Sequence, residues 1–169
     1  NWDRAQYGTS PDAPWIDPDN LSRAYLWAVD YQPPPEIPDA EYPFWLNTGR
    51  VIEHFHSRTK TKRVAQLHEM VPENYVEISG VDAQRMEIAT GDLVRVTSRR
   101  GEILIKARVT DTVREGAVFI LMHFGDLDPS DVAVNSGRLV AVNRLTMNYV
   151  DKDCGQPLYK HCAVRVTKA

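Results

Sequence analysis

Leu93-Val94-Arg95-Val96-Thr97, Arg99-Arg100-Gly101 and Glu102-Ile103-Leu104-Ile105-Lys106-Ala107-Arg108-Val109 follow one another along the chain, and their reading decides the fold class. Apolar and polar residues alternate on both sides of the glycine, the period of a strand with one wet face. Glycine supplies the positive φ that a tight loop needs, so the stretch predicts a hairpin. The same alternation recurs outward from it. Tyr75-Val76-Glu77-Ile78-Ser79, Ala117-Val118-Phe119-Ile120-Leu121 and Ala163-Val164-Arg165-Val166-Thr167 each predict a strand, and Phe44-Trp45-Leu46 begins a short apolar run ending at Asn47-Thr48-Gly49. A short helix fits Asp82 to Met86, with Asp82 as its cap, and Thr90-Gly91-Asp92 turns out of it. Five or six short strands with one or two stub helices predict a small, closed, mostly β barrel. Residues 125 to 142, rich in Gly, Asp, Ser and Asn, read as a long loop, and loops of that length are functional or disordered.

Residues 1 to 43 differ from the rest. They hold Pro33-Pro34-Pro35, Pro38 and Pro43, with Trp2, Trp15 and Trp27 spread among acids. Proline fixes φ and removes donors, so this stretch is expected to be an extended connector arm lying against something apolar. Ala24-Tyr25-Leu26-Trp27-Ala28-Val29 is its one candidate strand. The expected organisation is therefore an arm over residues 1–43 and a barrel domain over residues 44–169.

The whole chain, 169 residues, has room for one such domain, and a domain of this size buries roughly 70% of the surface its unfolded chain exposes. Its 43% hydrophobic and 25% charged residues are ordinary for a globular protein. No apolar run is long enough to span a bilayer. A net charge of −3 argues against a general nucleic-acid binder, which carries a basic surplus. The start, Asn1-Trp2-Asp3-Arg4, has no initiating Met and no apolar signal core, so it reads as processed or excised and leaves the compartment open. Cys154 and Cys162 form no metal-ligand spacing and read as free thiols more readily than as a pair.

The densest chemical signal is Thr48-Gly49-Arg50-Val51-Ile52-Glu53-His54-Phe55-His56-Ser57-Arg58-Thr59-Lys60-Thr61-Lys62-Arg63, directly after a strand. It sets five cations (Arg50, Arg58, Lys60, Lys62 and Arg63) against one acid and adds the hydroxyls of Thr48, Ser57, Thr59 and Thr61. Guanidinium and ammonium groups beside hydroxyls suit phosphate oxygens, and Gly49 lets another group approach the backbone closely. Other readings stay open: a solvated charged face, a metal held by His54 and His56 with the more distant His68, or a nucleic-acid patch in which only Phe55 could stack. Towards the other end of the chain, Asn143 offers a donor and an acceptor to a heterocycle edge, and Lys160 offers a compact cation before the last strand.

Taken together, these pieces resemble the molybdopterin-dinucleotide-binding domain found at the C-terminus of the dimethyl-sulfoxide-reductase family. The resemblance runs from Thr48 through Arg63, then Met122-His123-Phe124-Gly125-Asp126, Asn143-Arg144-Leu145-Thr146, Gly155-Gln156-Pro157-Leu158-Tyr159-Lys160 and Cys162-Ala163-Val164-Arg165-Val166, in that order. It implies a six-stranded double-psi β-barrel that grips the pterin and pyrophosphate of a molybdopterin guanine dinucleotide. It places Thr48, Gly49, Arg50, Val51, Ile52, Glu53, His54, Phe55, His56, Ser57, Thr59, Thr61, Asn143 and Lys160 on that cofactor, and Phe124 with His123 near a substrate funnel. It implies that no catalytic residue and no metal ligand falls in this chain. The molybdenum or tungsten of the bis-molybdopterin cofactor, and an iron–sulfur cluster, are implied for the remainder of the catalytic subunit, the expected partner. Arg58-Thr59-Lys60-Thr61 with Gly155-Gln156-Pro157 look most like nitrate reductases, while Met122-His123-Phe124 also resembles formate dehydrogenases. A small oxyanion or formate is the implied substrate. Two alternatives remain at this point: a free-standing small subunit of the formylmethanofuran-dehydrogenase kind, and a non-catalytic double-psi barrel serving as a binding module.

Overall fold

The computed structural model describes residue 28, residues 30–152 and residues 155–169. The chain divides into two units, residues 1–33 and residues 34–169. The first lies almost wholly outside the described residues, as do the strand expected at Ala24 to Val29, the tryptophans of the arm and Cys154.

Residues 34–169 form a closed barrel of six strands: β1 (Phe44–Gly49), β2 (Tyr75–Ser79), β3 (Leu93–Thr97), β4 (Glu102–Thr110), β5 (Ala117–Leu121) and β6 (Cys162–Lys168). Their order around the ring is β1-β5-β2-β4-β3-β6. Two neighbouring pairs run parallel, β1 with β5 and β2 with β4, and the other four pairings are antiparallel. This is the double-psi arrangement. Each strand's inward set is apolar: Leu46, Val76, Ile78, Val94, Val96, Ile105, Val118 and Ile120 are all fully buried. Burial of each such aliphatic side chain stabilises the fold by about 1.5–3 kcal/mol, so the alternation visible in the sequence is the barrel's interior. The β3–β4 turn falls where Arg99-Arg100-Gly101 placed it, with Thr97 opposite Glu102, but Gly101 does not take the positive φ expected of it; what approaches it is the Arg144 carbonyl, 3.2 Å from where a β-carbon would stand.

Among the described residues three short α-helices accompany the strands, one more than expected: α1 (Ala65–Met70), α2 (Gly80–Arg85) and α3 (Val132–Asn135). The cap of α2 also differs. Ser79 holds that position, its Oγ accepting the Asp82 amide at 3.1 Å and donating to Asp82 Oδ2 at 2.7 Å. Asp82 sits in the first turn and accepts the Gly116 amide at 2.9 Å. Serine ends β2 with extended backbone and caps in the same residue, a double duty that alternation alone hides. The segment from 125 to 142 is organised by its acids. Asp126 Oδ1 accepts the amides of Val140 and Ala141, and Asp131 Oδ1 accepts that of Ala133 at the start of α3.

The later part of the proline-rich stretch packs on the barrel wall. Glu36 receives both terminal nitrogens of Arg100, at 2.7 and 2.9 Å, and the amide of Ala163 on β6 at 2.6 Å. Asp39 pairs with Arg99, whose guanidinium also lies 4.6 Å from the ring centroid of the buried Tyr42.

Candidate functional site

Strand direction gathers the candidate residues. β1 and β5 are parallel and end at Gly49 and Leu121, while β6 runs against β1 and begins at Cys162. The loop after β1, the chain after β5 and the approach to β6 therefore all leave or enter the same end of the barrel. β2 begins at that end too, because it runs against β5. Residues 48–61, His123, Phe124, Asn143 and Lys160, which span most of the chain, are assembled there by topology.

At the root of the site, Lys160 Nζ donates to the Thr48 carbonyl at 2.7 Å, and the Thr48 hydroxyl donates to the Tyr159 carbonyl at 3.1 Å. These crossed bonds latch the end of β1 to the segment before β6, and Thr48 is buried. Gly49 is buried as well, and the group that approaches it is a neighbour within the barrel: a β-carbon there would stand 2.4 Å from Phe119 Cε2.

The five cations of the basic run divide into two sets. Arg58 is 0% exposed. Its guanidinium donates to Asp128 at 2.7 Å and lies 4.0 Å from the ring centroid of Phe124. Lys62 joins the same carboxylate at 3.0 Å. These two cations fasten the loop after β1 to the loop after β5. Arg50, Lys60 and Arg63 are exposed, and none has a carboxylate at ion-pair distance among the described residues. Beside them the loop exposes Ser57, Thr59 and His56, together with two apolar side chains, Ile52 (97% exposed) and Phe55 (68%). Glu53 and Val51 are half-buried. Asn143 is exposed in a 3-10 turn at Val142–Arg144, which Asp126 anchors through Arg144.

Two histidines lie beneath this loop as neutral rings. His54 Nε2 donates to the Val71 carbonyl at 2.8 Å, so its Nδ1 accepts the Thr61 hydroxyl at 3.1 Å. His123 has the opposite tautomer: Nε2 accepts the Val51 amide at 3.0 Å and Nδ1 donates to the His56 carbonyl. Burial holds both below the ordinary imidazole range, assisted by the positive charge of Arg58. Their ring centroids are 5.9 Å apart, and Phe124 stands at the same distance from His54. Both ring nitrogens of each histidine are spent on hydrogen bonds, and no group of three metal-ligating side chains occurs among the described residues. Cys162 is free and buried, its thiol pushed up to about 11 by burial.

Residues 44–163 match the family described as the molydopterin dinucleotide binding domain. This chain belongs to that family. A nitrate reductase of Symbiobacterium thermophilum is 44% identical over 149 residues, which are 87% of this chain and 18% of that protein. An F420-dependent formate dehydrogenase subunit alpha of Methanocaldococcus jannaschii is 40% identical over 146 residues, 86% of this chain and 20% of that protein. Among solved structures, acetylene hydratase from Pelobacter acetylenicus shares the fold, with a TM-score of 0.62 and 17% identity over 76% of this chain and 18% of that one. The chain thus spans about a fifth of the curated relatives it matches.

Within this molybdopterin dinucleotide-binding domain, two backbone features mark the loop after β1. His56 and Arg58 have φ of +46° and +63°, the left-handed region that non-glycine residues enter at a cost of about 1–2 kcal/mol each. Such conformations persist where the surroundings over-determine them. Here the His56 carbonyl is taken by His123 and the Arg58 side chain by Asp128. Asp128 and the Val51–His123 bond were not legible in the sequence. Each pairs residues 70 or 72 positions apart, with no local pattern to announce it.

Proposed function

We propose that this domain clasps one molybdopterin guanine dinucleotide of a bis-molybdopterin cofactor, as the cofactor-gripping part of a larger oxidoreductase polypeptide that reduces nitrate. The observation that carries the reading is the separation within the basic run. Arg58 and Lys62 are consumed by Asp128, while Arg50, Lys60 and Arg63 stand unpaired among the described residues at the end of the barrel that carries Asn143 and Lys160. Unpaired cations beside the hydroxyls of Ser57 and Thr59 match a pyrophosphate. The exposed ring of Phe55 and the amide of Asn143 match the face and edge of a heterocycle. The donor set therefore fits the cofactor.

In this assignment Arg50, Ser57, Thr59 and the backbone of 51–53 meet the phosphates, and Phe55, His56 and Asn143 meet the ring systems. Thr48, Gly49, His54, Thr61 and Lys160 hold the loop and strand end in place. The bound metal, molybdenum or tungsten, supplies the two-electron chemistry, and the protein supplies position and charge. Its ligand and an iron–sulfur cluster belong to the rest of the polypeptide. Nitrate as substrate is supported by the nitrate reductase likeness of the relative from Symbiobacterium thermophilum and by Gly155-Gln156-Pro157. Formate, supported by the relative from Methanocaldococcus jannaschii, is the second reading.

The test uses the full-length polypeptide that carries this domain. Replacing Arg50 with Ala removes one charge-assisted contact, worth about 1.5–3 kcal/mol, and is expected to weaken cofactor retention at least about tenfold. The melting temperature should not move, because Arg50 is exposed and unpaired. Metal and guanine nucleotide content after dialysis measure the first effect. Full loading in Arg50→Ala would refute the assignment. Dye-linked assays with nitrate, and separately with formate, choose between the two substrates.

A further inference from the structure

We propose that His123 is the positioning residue of the loop after β1, its ring tying the Val51 amide to the His56 carbonyl so that Arg50 and residues 52–57 are presented in one conformation. The geometry is that of a clasp. Nε2 accepts from Val51 at 3.0 Å, Nδ1 donates to His56, and the ring itself is buried just beyond β5. The two residues it joins bracket Ile52, Glu53, His54 and Phe55, and the carbonyl it receives belongs to a residue at φ +46°. An unsupported left-handed residue would relax, and the loop would open with it.

The clasp works only as a neutral imidazole. Protonation would turn Nε2 into a donor facing the Val51 N–H. Burial disfavours that charge most, and Arg50 and Arg58 from the loop and His54 beside the ring disfavour it further; Asp128 is engaged by Arg58 and Lys62. Because the folded pKa is depressed, the clasp is intact at neutral pH. As pH falls below the ordinary histidine value, the unfolded state gains a proton that the folded state resists, and the tie is lost when His123 finally protonates.

The inference rests on the cofactor reading above for its purpose, but not for its geometry, and the experiment separates the two. Hydrogen exchange of the peptide spanning residues 49–57 is measured in the full-length polypeptide across a pH series, corrected for intrinsic exchange, alongside guanine nucleotide content. Wild-type protection at Val51 is expected to fall in mild acid. His123→Leu is expected to lower it about tenfold at neutral pH, the worth of one hydrogen bond, and to release nucleotide. His123→Gln, whose amide offers one donor and one acceptor but does not titrate, is expected to keep protection and lose the acid dependence. Unchanged Val51 protection in His123→Leu overturns the clasp, as does an acid dependence that survives in His123→Gln. If every form, wild type included, carries no nucleotide while protection follows the expected pattern, the cofactor reading fails and the clasp stands.

Discussion

Gly49 faces the ring of Phe119 from the next strand, and the space that a methyl group would need is already filled, with ring carbons 2.4 and 2.8 Å from an added Cβ. Gly49→Ala is therefore expected to cost about 1–3 kcal/mol through overpacking, read as a lowered midpoint in chemical denaturation. Adding Phe119→Leu should return part of that loss; a Gly49→Ala protein as stable as wild type would show that the ring yields freely. From sequence, this glycine reads as room for a ligand, because a glycine after a strand and before a basic run gives no sign of which neighbour it admits. Arg58 carries the same lesson with opposite sign. Five cations in one run look alike on paper, and the one at position 58 is the largest fully buried side chain among the described residues. What distinguishes it is Asp128, 70 residues away and joined to it only by folding.

At the scale of elements, the six barrel strands were legible: period-2 alternation in β2, β3, β4 and β6 is the barrel interior itself, and β1 and β5 stand out as short apolar runs. The connections were less so. The segment after β5 reads as loop because Gly, Asp, Ser and Asn favour turns, yet those acids are its ties: Asp126 binds two amides and Asp128 binds Arg58 and Lys62. Removing Asp128 leaves the buried Arg58 charge without its main partner, and Asp128→Ala is expected to destabilise the domain by about 3–5 kcal/mol. Urea titration measures it, and a loss under 1 kcal/mol would mean that Asp131, 3.9 Å from the same guanidinium, takes over. Burial by itself would raise the Asp128 carboxyl, but bonds from Ser130, Lys62 and Arg58 outweigh it and hold the group far below the ordinary carboxylate range. The stabilisation is thus complete above the unfolded carboxylate pKa and drains away as pH falls through the folded one.

For the barrel unit as a whole, closure depends on a strap as well as on strands. Glu36 satisfies Arg100 on the β3–β4 turn and the β6 amide of Ala163 in one carboxylate, and the Arg100 bond is the main reason its pKa is lowered. Glu36→Ala is expected to cost about 1–3 kcal/mol, because a buried amide and a guanidinium lose their acceptor. It should also speed proteolytic cleavage near Pro33-Pro34-Pro35; equal cleavage rates in variant and wild type would assign the strap no role. The sequence announced the prolines of this stretch but not its anchor, since a lone Glu among prolines carries no periodicity.

The ring is shut by the pairing of β1 with β6, Phe44 opposite Val164 and Leu46 opposite Cys162. A ribosome making this polypeptide exposes the segment after β1 on the order of ten seconds before the strand that latches it has been translated. Through that interval the nascent chain has neither the Lys160 bond to Thr48 nor a finished wall behind Arg50. On the proposed reading the unfinished loop lacks the support that holds it for a nucleotide, so loading is expected to follow the synthesis of β6 and closure of the barrel.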